Sequence, residues 1–272
     1  MDFYQKGVIM DLPDTENLAS FHKNNTKFVR RWRSKLVQRG AGLYPSLYFQ
    51  LRRFPGAKGT GPLVRRNTEL VIEGFPRSSN SFAEAAFQLV QKKPVRVASH
   101  THVPAQVIQA VKWSIPTIVL FREPDDVVVS LIIFQLRKSR GNYTIYDAYK
   151  WYISYHRSIL PYRRGFVLAS FRSVTTDFGA VIRKVNDRFG TSFAEFENTP
   201  EMVGKAYEHL DEISLSRGNN PAPYSPHRGQ EIKQREAEKK QKIRRLIQAS
   251  EVEHYREEAR EIFDRLTKIS DC

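Results

Sequence analysis

A single cysteine, Cys272, stands in 272 residues. No disulfide can form within the chain, and no cluster of thiolates can hold a metal. So little cysteine fits a reducing compartment. Long apolar runs are missing too. The longest, residues 127–134, contains Ser130 and falls far short of the roughly 18 residues that a membrane helix needs. Residues 1–12 have neither the basic start nor the apolar core of a signal peptide. A soluble cytoplasmic protein is the expectation. Acidic residues are scarce: 29 Asp and Glu face 44 Lys and Arg, a formal net charge of +15. Such a surface favours polyanionic partners: nucleotides, nucleic acid, sulfated or phosphorylated polymers, or an anionic membrane. Charge alone does not choose among them.

Hydrophobic residues make up 40% of the chain. That is enough for a core, and the length suits one large α/β domain better than two small ones. Residues 25–40 are strongly basic and carry Phe28, Val29, Trp32, Leu36 and Val37 at helical spacing. Their apolar side reads as a face packed on the main domain. A contact with a membrane surface or polyanion is the sharper alternative. Residues 1–68 are therefore read as an extension with a basic amphipathic helix, and 69–272 as the main domain, the two making one structural unit.

From Glu69 apolar runs and helical patterns alternate. Strands are expected at 70–72, 95–98, 117–121 and 166–171. Helices are expected at 81–91, 105–112, 125–137, from Thr144 or Asp147 to about Pro161, and at 178–189 with Gly190 closing the last. This order implies a mostly parallel sheet flanked by helices, with ligands bound where strand ends meet helix starts. Residues 200–230 read as having long irregular parts, among them 217–229, and 232–269 as one or two charged helices.

Three segments at strand ends carry chemistry. Glu73-Gly-Phe-Pro-Arg-Ser-Ser-Asn-Ser-Phe82 follows an apolar strand and opens a helix with small hydroxyl residues. Helix-start N–H groups and the helix dipole favour a phosphate-like anion there, and Arg77 adds a fixed charge. The segment is not a Walker A loop, because it lacks the second Gly and the Lys. Arg122-Glu-Pro-Asp-Asp-Val-Val-Val-Ser130 places a cation at a strand exit and a hydroxyl about two turns into the following helix, fit to clasp a second anion. Between them lies Ser99-His-Thr-His-Val-Pro104. A neutral imidazole at His102 could take a proton from an acceptor hydroxyl, and His100, two residues away, competes for that role.

With these segments in order, the chain resembles the sulfotransferases that use 3′-phosphoadenosine 5′-phosphosulfate (PAPS). Pro76-Arg-Ser-Ser-Asn-Ser-Phe82 is similar to that family's 5′-phosphosulfate loop, and Arg122 to Ser130 to its 3′-phosphate element. His100-Thr-His-Val-Pro104 is similar to its catalytic segment. The likeness spans about residues 69–193. It implies a P-loop NTPase-like sulfotransferase fold with charged C-terminal helices, and a donor, PAPS, that needs no metal. Arg77 would neutralise the leaving phosphate. Ser78, Ser79, Asn80 and Ser81 would supply N–H groups and side-chain donors, and Phe82 would lie against the adenine. Arg122 and Ser130 would hold the 3′-phosphate, and His102 would be the general base. Phe171 would touch the adenine. Arg228, in His227-Arg-Gly229, would stand where the family's late basic loop closes. Ser79 in place of a loop Gly restricts positive φ. Asn80 replaces Thr, and Arg172 stands where relatives often carry Glu.

The reading is thus a transfer of a sulfuryl group from PAPS to a hydroxyl or amine. The acceptor is left open among carbohydrate, lipid and small metabolite, with aromatic residues of 143–162 and the 217–228 loop on its side. Nucleic acid is not expected as a partner. A nucleotide-dependent kinase and a non-catalytic polyanion- or membrane-binding protein are the rivals.

Overall fold

The computed structural model describes residues 48–50, 62–137, 144–216, 230–248 and 250–270. The basic 25–40 segment, the 217–228 loop and Arg228 lie outside the described residues.

Leu70–Gly74 (β1) and Thr117–Phe121 (β3) are buried at every position. Strands covered on both faces read as unbroken apolar runs, as these do. With Val97–Ser99 (β2) and Val167–Ser170 (β4) they form a four-stranded sheet in the order β2-β1-β3-β4. Every pairing is parallel; Val71 lies opposite Ala98 on one side and Thr117 on the other. The α/β reading with a parallel sheet between helices therefore holds.

Alternate residues serve opposite faces. Leu70 and Ile72, Ile118 and Leu120, and Val167 and Ala169 enter one core. Asn80–Val90 (α1), Phe178–Phe189 (α6) and Pro200–Ser216 (α7) cover it with Phe82, Phe87, Phe178 and Ala206. On the other face Val71 and Ala98 meet Ala110 of Pro104–Lys112 (α2). Phe121 meets Phe263 of Ser250–Ser270 (α9), with ring centroids 5.7 Å apart. Pro124–Arg137 (α3), Ile145–Ile159 (α4), the short Phe171–Thr176 (α5) and Gln230–Ile247 (α8) are further α-helices, and Leu160–Gly165 is a 3-10 helix after α4.

Local chemistry sets the ends. Thr144 and Asp147 form a capping box on α4, which satisfies two of its first N–H groups. Asp177 caps α6, and Gly190 at φ 65° ends it, a left-handed turn that suits glycine.

Two expectations are corrected. Residues 200–216 are helical, where the sequence reading places no helix. Thr199 accepts from the Met202 N–H at 3.3 Å, Pro200 suits the first turn, and Met202, Val203, Ala206 and Tyr207 pack on the main core. The fourth strand stops at Ser170, whose hydroxyl accepts from the Ser173 N–H at 3.0 Å and so starts α5 at Phe171.

The strand order positions the site. The chain leaves β1 toward β2 on one side, then crosses to β3 on the other. The reversal of direction falls between the ends of β1 and β3, the position at which open α/β sheets bind ligands. Gly74 sits at this point. A Cβ on it would lie 2.5 Å from the Leu120 carbonyl oxygen, so only glycine lets the two strands end so close together.

Candidate active site

The first loop runs from Phe75 to Ser79. Its base is set by the Phe75 ring, packed edge-on against Trp151, Tyr152 and Tyr155 of α4 at 4.8–5.8 Å. Arg77 (φ 74°) and Ser79 (φ 72°) are left-handed and Ser78 between them is not. Such an alternation turns successive N–H groups toward one concavity, a nest for an anion. The Asn80 amide crosses the loop to donate to the Phe75 carbonyl at 3.0 Å. The Ser78 hydroxyl is buried with no partner.

The two basic loops converge. Arg77 Nε donates to Ser130 Oγ of α3 at 2.9 Å. Arg122, at the exit of β3, donates from one Nη to the Arg77 carbonyl at 3.3 Å and from the other to Asp126 Oδ2 at 3.2 Å. Its guanidinium carbon lies 3.9 Å from the centre of the Phe171 ring, within cation–π range. The Tyr152 hydroxyl donates to the Arg122 carbonyl at 2.9 Å and fixes the loop from α4. Arg122 Nε is buried and makes no hydrogen bond. Arg244 of α8 donates to Asp126 Oδ1 at 2.9 Å. Burial works to raise the Asp126 carboxyl, but its bonds from Arg244 and Arg122 outweigh that and hold it below its ordinary 3.8.

The imidazole segment closes the third side. Glu73, fully buried at the end of β1, accepts from the Thr101 N–H at 2.7 Å and the His102 N–H at 2.8 Å. Burial pushes this carboxyl up to about 7 against those donors. His102 Nδ1 lies 2.9 Å from the Gly74 carbonyl. A carbonyl only accepts, so Nδ1 carries the hydrogen and Nε2 keeps its lone pair. Burial pushes His102 down to about 4, with smaller contributions from His100 and Arg77, so the ring is neutral near pH 7. His100, its ring centroid 5.8 Å from that of His102, is bonded instead to Ser81 and Glu84. Both histidines have left-handed backbones, φ 57° and 53°.

The structure thus brings Arg77, Arg122, Ser130 and Phe171 into one cluster, with Ser78 to Ser81 on the loop that builds it and His102 held against the end of β1. Phe82 goes elsewhere. It is 4% exposed and packs in the core against Phe196 and Tyr207, a role that accounts for its position. Tyr149, Tyr152 and Tyr155 of α4 are also buried. Glu73, Asp126 and Arg244 were missed from sequence. A carboxylate closing an apolar strand was the available signal for Glu73; no local signal marks Arg244. Among the described residues no group of three or more His, Cys, Asp or Glu side chains is placed to hold a metal ion, and no helix is long and apolar enough to cross a membrane.

No protein-family model matches the chain, and no curated protein matches it. Among solved structures it is similar to mouse sulfotransferase SULT7A1 complexed with PAP, at 12% identity and a TM-score of 0.35, over 76% of this chain and 90% of that one.

Proposed function

We propose that this chain is a sulfotransferase that moves a sulfuryl group from PAPS to a hydroxyl or amine of an acceptor, acting in the cytoplasm. The observation that carries the reading is the junction of the two basic loops. Arg122 bonds the Arg77 backbone, and Arg77 bonds Ser130. One doubly phosphorylated nucleotide could bridge cradles this close. The residues fit such a group: Ser78 Oγ and Arg122 Nε are buried donors with no partner, and a buried donor is rarely left so without reason. The Phe171 ring beneath Arg122 offers an apolar surface for a base.

Sulfuryl transfer, like phosphoryl transfer, needs positioning and charge neutralisation more than covalent chemistry. Arg77 would balance charge on the leaving phosphate. His102 would accept the acceptor's proton at Nε2. Its neutral state near pH 7 keeps the lone pair available, at the cost of weak basicity. The Arg77 charge is one cause of that weakness, and a bound polyanion would offset it. Glu73 positions the His102 backbone rather than touching the reactants.

Titration calorimetry with adenosine 3′,5′-bisphosphate tests the donor site. Arg77→Ala and Arg122→Ala should each weaken binding about 10-fold or more, the loss expected for one charge-assisted bond of about 1.5–3 kcal/mol. His102→Asn should retain binding and lose PAPS-dependent transfer. Wild-type affinity in both arginine variants, or stronger thermal stabilisation by magnesium ATP than by the bisphosphate, would remove this reading.

A further inference from the structure

Ser81, His100 and Glu84 form a hydroxyl–imidazole–carboxylate chain; the donor reading uses Ser81 only as a loop donor and gives its pairing with His100 and Glu84 no role. Ser81 Oγ is 3.1 Å from His100 Nε2. Nδ1 of the same ring is 2.9 Å from Glu84 Oε2. The partners fix the proton positions. Ser99 Oγ donates its one proton to Glu84 Oε2 at 2.8 Å. Toward His100 Nδ1, 3.0 Å away, it can then only accept, and so can the carboxylate. Nδ1 therefore carries a hydrogen. In the neutral ring Nε2 offers its lone pair to the Ser81 hydroxyl. A hydroxyl nucleophile needs this tautomer from its base, with the base oriented by a third group.

The placement is specific. Ser81 and Glu84 lie three residues apart on α1, which sets them on one helix face. His100 arrives from the end of β2 with φ 57°. A residue with a Cβ seldom adopts that backbone, and it persists where the surroundings over-determine it. The side chains of His100 and Glu84 are 29% and 31% exposed, so a small reagent can reach the group. Ser81 is the second residue of α1, and the unbonded N–H groups of a helix's first turn flank such a position, where they can serve an oxyanion.

We propose that Ser81 is an activated nucleophile toward activated acyl esters, with His100 as its general base and Glu84 orienting that base. Oγ bonds to the carbonyl carbon as its proton passes to His100 Nε2. The bond from that carbon to the leaving oxygen then breaks, and the leaving oxygen takes the proton from Nε2. Water, deprotonated by the same nitrogen, releases the acid and restores the hydroxyl. No step uses PAPS, so this activity stands or falls apart from sulfuryl transfer.

The full chain is treated with a fluorophosphonate probe and, separately, with p-nitrophenyl acetate, and the modified residue is located by peptide mass spectrometry. Phosphonylation and acetylation at Ser81 are expected. His100→Gln should slow both by about 100-fold or more, while the melting transition shows that the variant is folded. Added imidazole should restore part of the rate in His100→Gly, a rescue that a merely structural histidine would not give. Absence of label on Ser81 in folded wild-type protein overturns the proposal. So does labelling of folded His100→Gln at the wild-type rate.

Discussion

Ser79 holds φ 72° and ψ 20° at the start of α1, and its side chain makes no capping bond. A non-glycine residue in that region costs of order 1–3 kcal/mol. Glycine there would return roughly 0.5–1 kcal/mol of that to the entropy of the unfolded chain. Ser79→Gly should therefore stabilise the protein by about 1 kcal/mol in urea unfolding. An unchanged or lower midpoint would mean that the Ser79 side chain contributes through contacts of its own. At this scale the residue types of the loop were legible in the sequence, because an anion cradle demands small, hydroxyl and basic residues in a short span. Their partners were not. Arg77 bonds Ser130, 53 positions on, and Arg244 reaches Asp126 across 118. No local pattern specifies a pair so distant. Phe82 shows the converse: a motif position taken for a ligand contact packs in the core, because its helix face turns toward α7.

Elements were easier to read than contacts. The strand at 117–121 and the helix at 178–189 have the bounds that their apolar patterns give. Helix α7 was obscured by Gly204 inside it and by the Gly-, Asn- and Pro-containing sequence that follows. Its contact face on α1, with Ala206 and Tyr207, becomes meaningful only once α1 is in place. The spacing of β1 from β3 is the element-scale feature on which the site depends most, since it joins the two basic loops. Gly74→Ala would drive a Cβ to 2.5 Å from the Leu120 carbonyl oxygen and 2.8 Å from the Leu120 Cβ. Backbone cannot move aside as a flexible side chain can, and overpacking of this kind costs about 1–3 kcal/mol. Gly74→Ala should lower the urea midpoint accordingly. It should also weaken binding of adenosine 3′,5′-bisphosphate, because separating the strand ends parts Arg122 from the Arg77 carbonyl. Full stability in this variant would show that the strand ends have slack.

On the scale of the whole molecule, three buried groups tie stability to pH, and they pull in opposite directions. His102 and His156 are each pushed by burial from an ordinary 6.5 down to about 4. Between those values the unfolded chain holds more protons, so stability rises with pH for both. Glu73 is pushed by burial from 4.5 up to about 7. Here the folded chain holds more protons, so its contribution is fully present below about 4.5 and is lost as pH rises toward 7. Each group contributes a slope of at most about 1.4 kcal/mol per pH unit within its window. From about pH 5 to 6.5 the wild type carries two rising terms against one falling term. Glu73→Gln removes the falling term, so its stability should climb more steeply with pH than the wild type's, while the loss of one of the two N–H bonds shifts the whole profile without changing its slope. His102→Asn removes one rising term, leaving His156 against Glu73, and its profile should be nearly flat. Urea unfolding at half-unit steps from pH 5 to 6.5 measures all three slopes. Every other titrating group is common to the three proteins, so the differences between slopes isolate these residues. If the three profiles run parallel, the carboxylate beneath the His102 loop and the imidazole above it do not titrate as their burial requires.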